Sequence, residues 1–373
     1  MCRVLVGWKM RAWREGEVWI MLRRCSTVGA VLVAAGWAAF MPVVRAASPE
    51  YTLTVVGPYG HVGRQAAALN AAGHVTGQGV KRQAFLWDGT LHSLGAPAGS
   101  IWSVGQGISN GDVVAATAQG PNGVRHAYAV TYTNGKSGWI ELPGLAGYTL
   151  SEAQGITPDG SAIVGTLCPT GDRGCSGIKR PSLAAVWRHS NGMWQRPLLI
   201  PAGKTSAGSV GSAVARAGAV TVAAAGNAVW PLHARAVLAL TPPPNDTVVG
   251  IDSIAHGSGN TFYVAGQTSN PNVGTVTEAV LWTVNCARAG CRQTGRTVLA
   301  SFGQVFAVNG KGAAVGYSRP NGDGGGAYVI WQRGQETQLP IEGLAINNAG
   351  QIAGPRQNPT TFRYDQVALL TPQ

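Results

Sequence analysis

Ala68-Leu69-Asn70-Ala71-Ala72-Gly73-His74-Val75-Thr76-Gly77 recurs near the other end of the chain as Ala345-Ile346-Asn347-Asn348-Ala349-Gly350-Gln351-Ile352-Ala353-Gly354. Each copy reads as a small-apolar pair that ends one strand, then a turn built on Asn and Gly. Gly takes the turn position that needs positive φ. An alternating apolar segment follows, and a final small residue lets neighbouring backbones approach. The frame returns as Gly155-Ile156-Thr157-Pro158-Asp159-Gly160 through Gly165, and as Ala307-Val308-Asn309-Gly310-Lys311-Gly312 through Gly316. A shorter variant is Gly107-Ile108-Ser109-Asn110-Gly111 through Ala115. Weaker copies start at Ala213-Val214 and Ser253-Ile254.

The apolar markers Leu69, Ile108, Ile156, Val214, Ile254, Val308 and Ile346 are spaced by 39, 48, 58, 40, 54 and 38 residues. The short spacings match the roughly 40–50 residues of a four-stranded propeller blade. The two longest contain Cys168 with Cys175, and Cys286 with Cys291, as expected if insertions sit in the connections between blades. Beyond each frame lies an aromatic strand, such as Ala84-Phe85-Leu86-Trp87, Ala185-Val186-Trp187 or Ala279-Val280-Leu281-Trp282. A fourth strand follows, as in Leu91-His92-Ser93-Leu94-Gly95. Four strands cannot bury both faces alone, so the units must stack and the recurring Trp residues belong between them. Tyr51–Val56 is then an orphan strand, and Val367–Pro372 ends the last unit. Pairing these two in one blade removes two exposed edges. The expected fold is therefore all-β, a β-propeller of about seven four-stranded antiparallel blades closed by the N- and C-terminal strands.

Composition agrees. Of 373 residues, 12% are charged, against a usual figure of about 25%, while Gly numbers 53 and Pro 21. Such a chain is short of charge for exposed helix faces and rich in helix breakers. Its apolar content of 45% suffices for a core.

The N-terminus is set apart from the fold. Arg23 and Arg24 precede the uncharged stretch Val28 to Val44, and Val44-Arg45-Ala46 places small residues where a signal peptidase reads. Residues 1–46 are expected to be a signal peptide cut between Ala46 and Ala47, with Met21 the possible true start, and residues 47–373 the repeat domain. An uncleaved anchor is the alternative and would be the only contact with a membrane. The segment carries seven basic and two acidic residues, so the remainder has a net charge of +7. It contains no run of four basic residues, so no nucleic-acid partner is expected.

Cys2 and Cys25 fall in the leader, leaving two local pairs, Cys168 with Cys175 and Cys286 with Cys291. In an exported chain these read as two disulfides, each stapling a short loop by about 2–3 kcal/mol. A zinc site built from all four thiolates is the rival, although neither pair has the two-residue spacing common in such sites.

The frame Ala-Leu/Ile-Asn-x-x-Gly-x-Val-x-Gly, followed by Ala-Phe-Leu-Trp and a Leu-Gly ending, resembles the HAF-repeat extracellular proteins of bacteria. Their His-Ala-Phe triplet stands here as Gln83-Ala84-Phe85 and His126-Ala127-Tyr128, and Leu369-Leu370-Thr371-Pro372 resembles their ends. The resemblance spans most of residues 50–373. It implies an exported, propeller-like repeat protein and carries over no functional residue.

Strings that carry chemistry elsewhere have plainer explanations here. His61, His74, His92, His126, His189, His233 and His256 never occur at the close spacing of a metal helix, and no metal or cofactor is expected. Asp88, Asp112 and Asp159 each adjoin Gly and read as turn residues. Ser109 sits in a nucleophile-elbow string, yet fills the position held by Asn70, Thr157 and Asn309 in sister copies, so a hairpin turn explains it. Asn321-Gly322-Asp323-Gly324 lacks the alternating carboxylates and the closing Glu of a calcium loop, and Gly203-Lys204-Thr205 lacks the earlier Gly of a phosphate loop. No catalytic residue is assigned. The expected function is a periplasmic or secreted non-enzymatic binding scaffold, with an unknown protein or glycan at the propeller face. The alternatives are a structural envelope or matrix component, or a hydrolase or lyase acting on extracellular polysaccharide.

Overall fold

The computed structural model describes residues 50–58, 67–171, 181–201, 210–269, 277–319, 325–358, 360 and 363–373. The chain divides into two units, Met1–Ala47 and Ser48–Gln373. All described residues belong to the second, so the expected cleavage site at Ala46 and Ala47 lies outside them.

Seven antiparallel sheets follow one another along the chain. Each is a blade whose strands run a, b, c, d outward from the centre. Blade I is Ala67–Leu69, Val75–Gln78, Ala84–Trp87 and Leu91–Gly95. The a strands of blades II to VI are Trp102–Ile108, Leu150–Ile156, Gly211–Ala217, Thr247–His256 and Gly303–Val308. Every sequence frame is thus an a–b hairpin. In blade III the outer position is split between Met193–Trp194 and Leu198–Leu199, both paired with strand c, Leu183–Ser190. Blade VII is composite. Its a, b and c strands are Ala345–Ile346, Ile352–Gln357 and Tyr364–Pro372, and its outermost strand is Tyr51–Pro58 from the start of the chain. Tyr51 faces Pro372 and Leu53 faces Leu370 in that register, so the two ends close the ring as expected.

Among the described residues the core has one cluster in each of the seven gaps between adjacent blades, and a small eighth, Trp102 with Val104, on strand a of blade II. Period-2 alternation explains how. In strand b of blade III, Ile163 and Leu167 pack toward blade II, while Ala162 and Val164 pack toward blade IV. In strand b of blade IV, Ala223 and Ala225 face blade III, whereas Val222 and Ala224 face blade V. Every blade buries both faces and none does so alone. The last cluster joins Val75 and Phe85 of blade I to Val56, Val367 and Leu369 of blade VII. Trp187 and Trp282 are fully buried in these gaps. Their indole N–H groups donate to the ends of the preceding blades, at Pro143 O (2.8 Å) and Thr241 O (2.9 Å).

One expectation is corrected. In blade V the extra length lies inside the blade. Cys286 and Cys291 face each other across the c–d hairpin of blade V, whose strands Thr277–Ala287 and Gly290–Ala300 are 11 residues each, and they form a disulfide with Cα atoms 4.1 Å apart. A covalent bond between them leaves no four-thiolate zinc site. Cys168 ends strand b of blade III, fully buried, and Cys175 lies outside the described residues. A c–d hairpin can lengthen along its own ladder without moving its neighbours, whereas a connection between blades must return the chain to the centre.

Candidate functional site: the central channel

The seven a strands line a channel, and the same frame position recurs around it. Leu69, Ile108, Ile156, Val214, Ile254, Val308 and Ile346, one per blade, form an apolar girdle shared by two chambers. Residues after the girdle wall a chamber of about 400 Å³, and residues before it wall one of about 220 Å³.

The larger chamber is built from turns. Asn70, Asn309 and Asn347 are buried there and use both ends of their amides. Each Oδ1 accepts from the backbone N–H groups two and four residues later, closing the turn: Ala72 and His74, Lys311 and Ala313, Ala349 and Gln351. Each Nδ2 donates to a carbonyl of the next blade. Asn309 reaches Asn347 O (2.9 Å), Asn347 reaches Asn70 O (2.9 Å) and Asn70 reaches Ser109 O (3.0 Å). Ser109 and Thr157 keep only the local half of this arrangement, accepting from Val113 N and Ala162 N. Ser109 is therefore a turn residue between two strands, and no helix follows it. Between blades III and IV the bridge is ionic, Arg216 to Asp159 at 3.1 Å. Burial alone would raise the Asp159 carboxyl, but the hydroxyls of Thr157 and Ser161, the Ser161 amide and the Arg216 charge outweigh it and hold its pKa below the usual carboxylate value.

The smaller chamber holds residues that the sequence alone did not single out. The a strands of blades II to VI each carry a β-bulge two places before the girdle, at which one residue drops out of the ladder, and blade V carries a second bulge nearer the start of its strand. Those residues are Gln106, Gln154, Ser212, Asp252 and Phe306, and all five line the chamber. Each stands two places before a girdle residue, which is the signal that could have found them. A bulge re-aims a side chain that would otherwise alternate between the sheet faces. The bulges also explain the Gly that ends many frames: at Gly165 and Gly316 a Cβ would overlap the backbone carbonyls of Glu152 and Gln304, which the bulge pushes toward strand b.

Among the described residues, Asp252 is the only carboxylate lining either chamber. Its Oδ2 accepts from Gln267 Nε2 (3.1 Å). The side chain is exposed within the chamber, among the residues that line it. Enclosure pushes its pKa up to about 7, against a smaller lowering by Gln267.

The remaining titratable groups are dispersed. His74 contacts Asp112 (2.8 Å), His92 contacts Asp88 (3.0 Å), and His126 lies 2.8 Å from Glu141 without hydrogen-bond alignment. His189 packs on Trp194, His233 lies 3.2 Å from Arg188, and His256 contacts Gly259 O. Among the described residues no group of three or more His, Cys, Asp and Glu side chains is placed to hold a metal. Burial, and then the adjacent Asp246 carboxyl, raise the pKa of Glu278. His61, Gly203-Lys204-Thr205 and Asn321 through Gly324 lie outside the described residues.

Seven antiparallel four-stranded blades around a channel, locked by a shared terminal blade, define a seven-bladed β-propeller. Among solved structures, a chain of the mitotic checkpoint complex is similar at 12% identity and a TM-score of 0.51, covering 93% of this chain and 99% of that one. A gluconolactonase from Xanthomonas campestris is similar at 14% identity and a TM-score of 0.42, covering 87% and 90%. The Dos1 propeller is similar at 12% identity and a TM-score of 0.42, covering 80% and 75%. No protein-family model matches the sequence, and no curated protein matches it.

Proposed function

We propose that the chain is an exported, non-enzymatic binding scaffold of the HAF-repeat kind, which engages an envelope or extracellular protein or glycan at its channel face. The observation that carries this reading is the channel lining. The frame positions that build the ring recur from blade to blade, while the bulged positions differ in every sector except II and III, and together they offer a single carboxylate. Polysaccharide hydrolysis by the usual route needs two carboxyl groups flanking one bond, and a lone Asp252 does not supply them. A rigid ring displaying varied side chains is well suited to holding a ligand. The Cys286–Cys291 disulfide favours an oxidising compartment, in keeping with export of the chain after residues 1–46. Among the described residues no helix is long and apolar enough to cross a membrane.

The test is a binding screen of the purified protein against envelope glycans and culture proteins, with polysaccharide turnover and particle size followed in parallel. The scaffold reading expects one saturable partner, no turnover and a discrete particle. Turnover of a polysaccharide overturns it in favour of an enzyme. Open-ended self-association without a partner overturns it in favour of a structural component.

A further inference from the structure

The smaller chamber is divided in a way that no structural requirement of the repeat explains. Going round from blade II to blade V, the bulged positions are polar: Gln106, Gln154, Ser212 and Asp252. From blade VI to blade VII the wall turns apolar, with Phe306 and then Leu344. One arc offers hydrogen-bonding groups and the opposite arc offers an aromatic ring. One bulged residue from each of blades II to VI lines this one cavity.

The chemistry of the arc restricts its ligand. Amide and hydroxyl groups both donate and accept, which matches partners that also do both. Among the described residues no Lys or Arg lines the chamber, so none of them neutralises a phosphate or sulfate there. Asp252, shifted toward its neutral form, has little fixed charge to offer a cation at mildly acidic pH. The polar arc is also pre-set. Thr117 Oγ1 donates to Gln106 Oε1 (2.6 Å), which turns the Gln106 amide N–H toward Gln154 Oε1 (3.3 Å). Gln154 keeps its own N–H donors for a ligand. At about 220 Å³ the chamber falls below the roughly 300–1,000 Å³ of pockets for drug-sized molecules, so it suits a single ring.

From these features we propose that the chamber before the girdle is a subsite for one neutral saccharide ring. The apolar C–H face lies on Phe306, and the hydroxyl edge is held by Gln106, Gln154, Ser212 and Asp252. This proposal rests on the scaffold reading and narrows its ligand class.

Titration calorimetry of the full chain with glucose, galactose, mannose and N-acetylglucosamine tests it, with choline and inorganic phosphate as contrasting probes. At least one sugar is expected to saturate the site with a Kd on the order of 1 mM. Gln154→Ala and Phe306→Ala each weaken that sugar about tenfold. His256→Ala, in the other chamber, leaves it unchanged. Phe306→Leu, which keeps the apolar volume but not the flat face, gives the same loss should Phe306→Ala fail to fold. Choline or phosphate binding in place of sugar overturns the inference, as does sugar binding that ignores Phe306 and Gln154. If a screened partner binds while no sugar does, this inference falls and the scaffold reading stands.

Discussion

The side chain of Asn347 in the last blade donates through Nδ2 to the backbone carbonyl of Asn70 in the first, at 2.9 Å across 277 residues of sequence. With the pairing of Tyr51–Pro58 against Tyr364–Pro372, this bond joins the ends of the chain at the channel wall as well as at the outer edge.

Asn347→Ala removes that bond and strands the Ala349 and Gln351 N–H groups, which both donate to Asn347 Oδ1. A loss of about 2–3 kcal/mol in urea unfolding is expected. Asn347→Ser should cost only about 1 kcal/mol, because a hydroxyl still closes the turn, as Ser109 does, but cannot bridge blades. An Asn347→Ser variant as stable as the wild type would show that the bridge contributes nothing, and equal costs for the two variants would show that the turn bonds contribute nothing.

Gly316 faces the carbonyl of Gln304 beside the bulge in blade VI. Gly316→Ala forces backbone to move and is expected to destabilise by about 1–3 kcal/mol. Gly290→Ala, in an open turn of blade V with nothing near its Cβ, is the control and should change the urea midpoint little.

Asp252 has a folded-state pKa of about 7 against 3.8 in the unfolded chain. The folded protein therefore holds a proton that the unfolded chain releases, and stability falls as pH rises from about 4 to about 7. Allowing for screening by channel water, the loss is about 1–2 kcal/mol. Asp252→Asn should remove it, so the variant gains on the wild type progressively between pH 4 and pH 8. A difference between the two that is flat across that range contradicts the enclosure of the carboxyl.

Much of this fold was legible because its constraints are local. The Asn-Gly turn, the apolar marker and the aromatic strand recur within about 30 residues of one another, and periodicity exposes them. The orphan strand at Tyr51 and the surplus strand at Val367 pointed to closure for the same reason. The chamber was not legible. Whether Gln106 or Asp252 enters the ladder or leaves it depends on where strand b pairs, and no property of those residues announces a bulge. The interblade arm of Asn70 was hidden for a similar reason, since its acceptor at Ser109 belongs to another copy. The cysteines showed the limit of spacing arguments: the long repeat was read as an inserted connection, and the length went into a taller hairpin carrying Cys286 and Cys291.

Ring closure is the claim on which the channel and both chambers depend, and Thr52 and Thr371 are cross-strand partners within it. Paired strands hold opposite Cα atoms about 4.5–5.5 Å apart, within disulfide range. Mild oxidation of the Thr52→Cys, Thr371→Cys double variant, read by mass spectrometry of unreduced peptides, should give an intramolecular link in a monomer. Links formed only between molecules, or none under conditions that keep the Cys286–Cys291 bond, would show that the two ends do not share a blade.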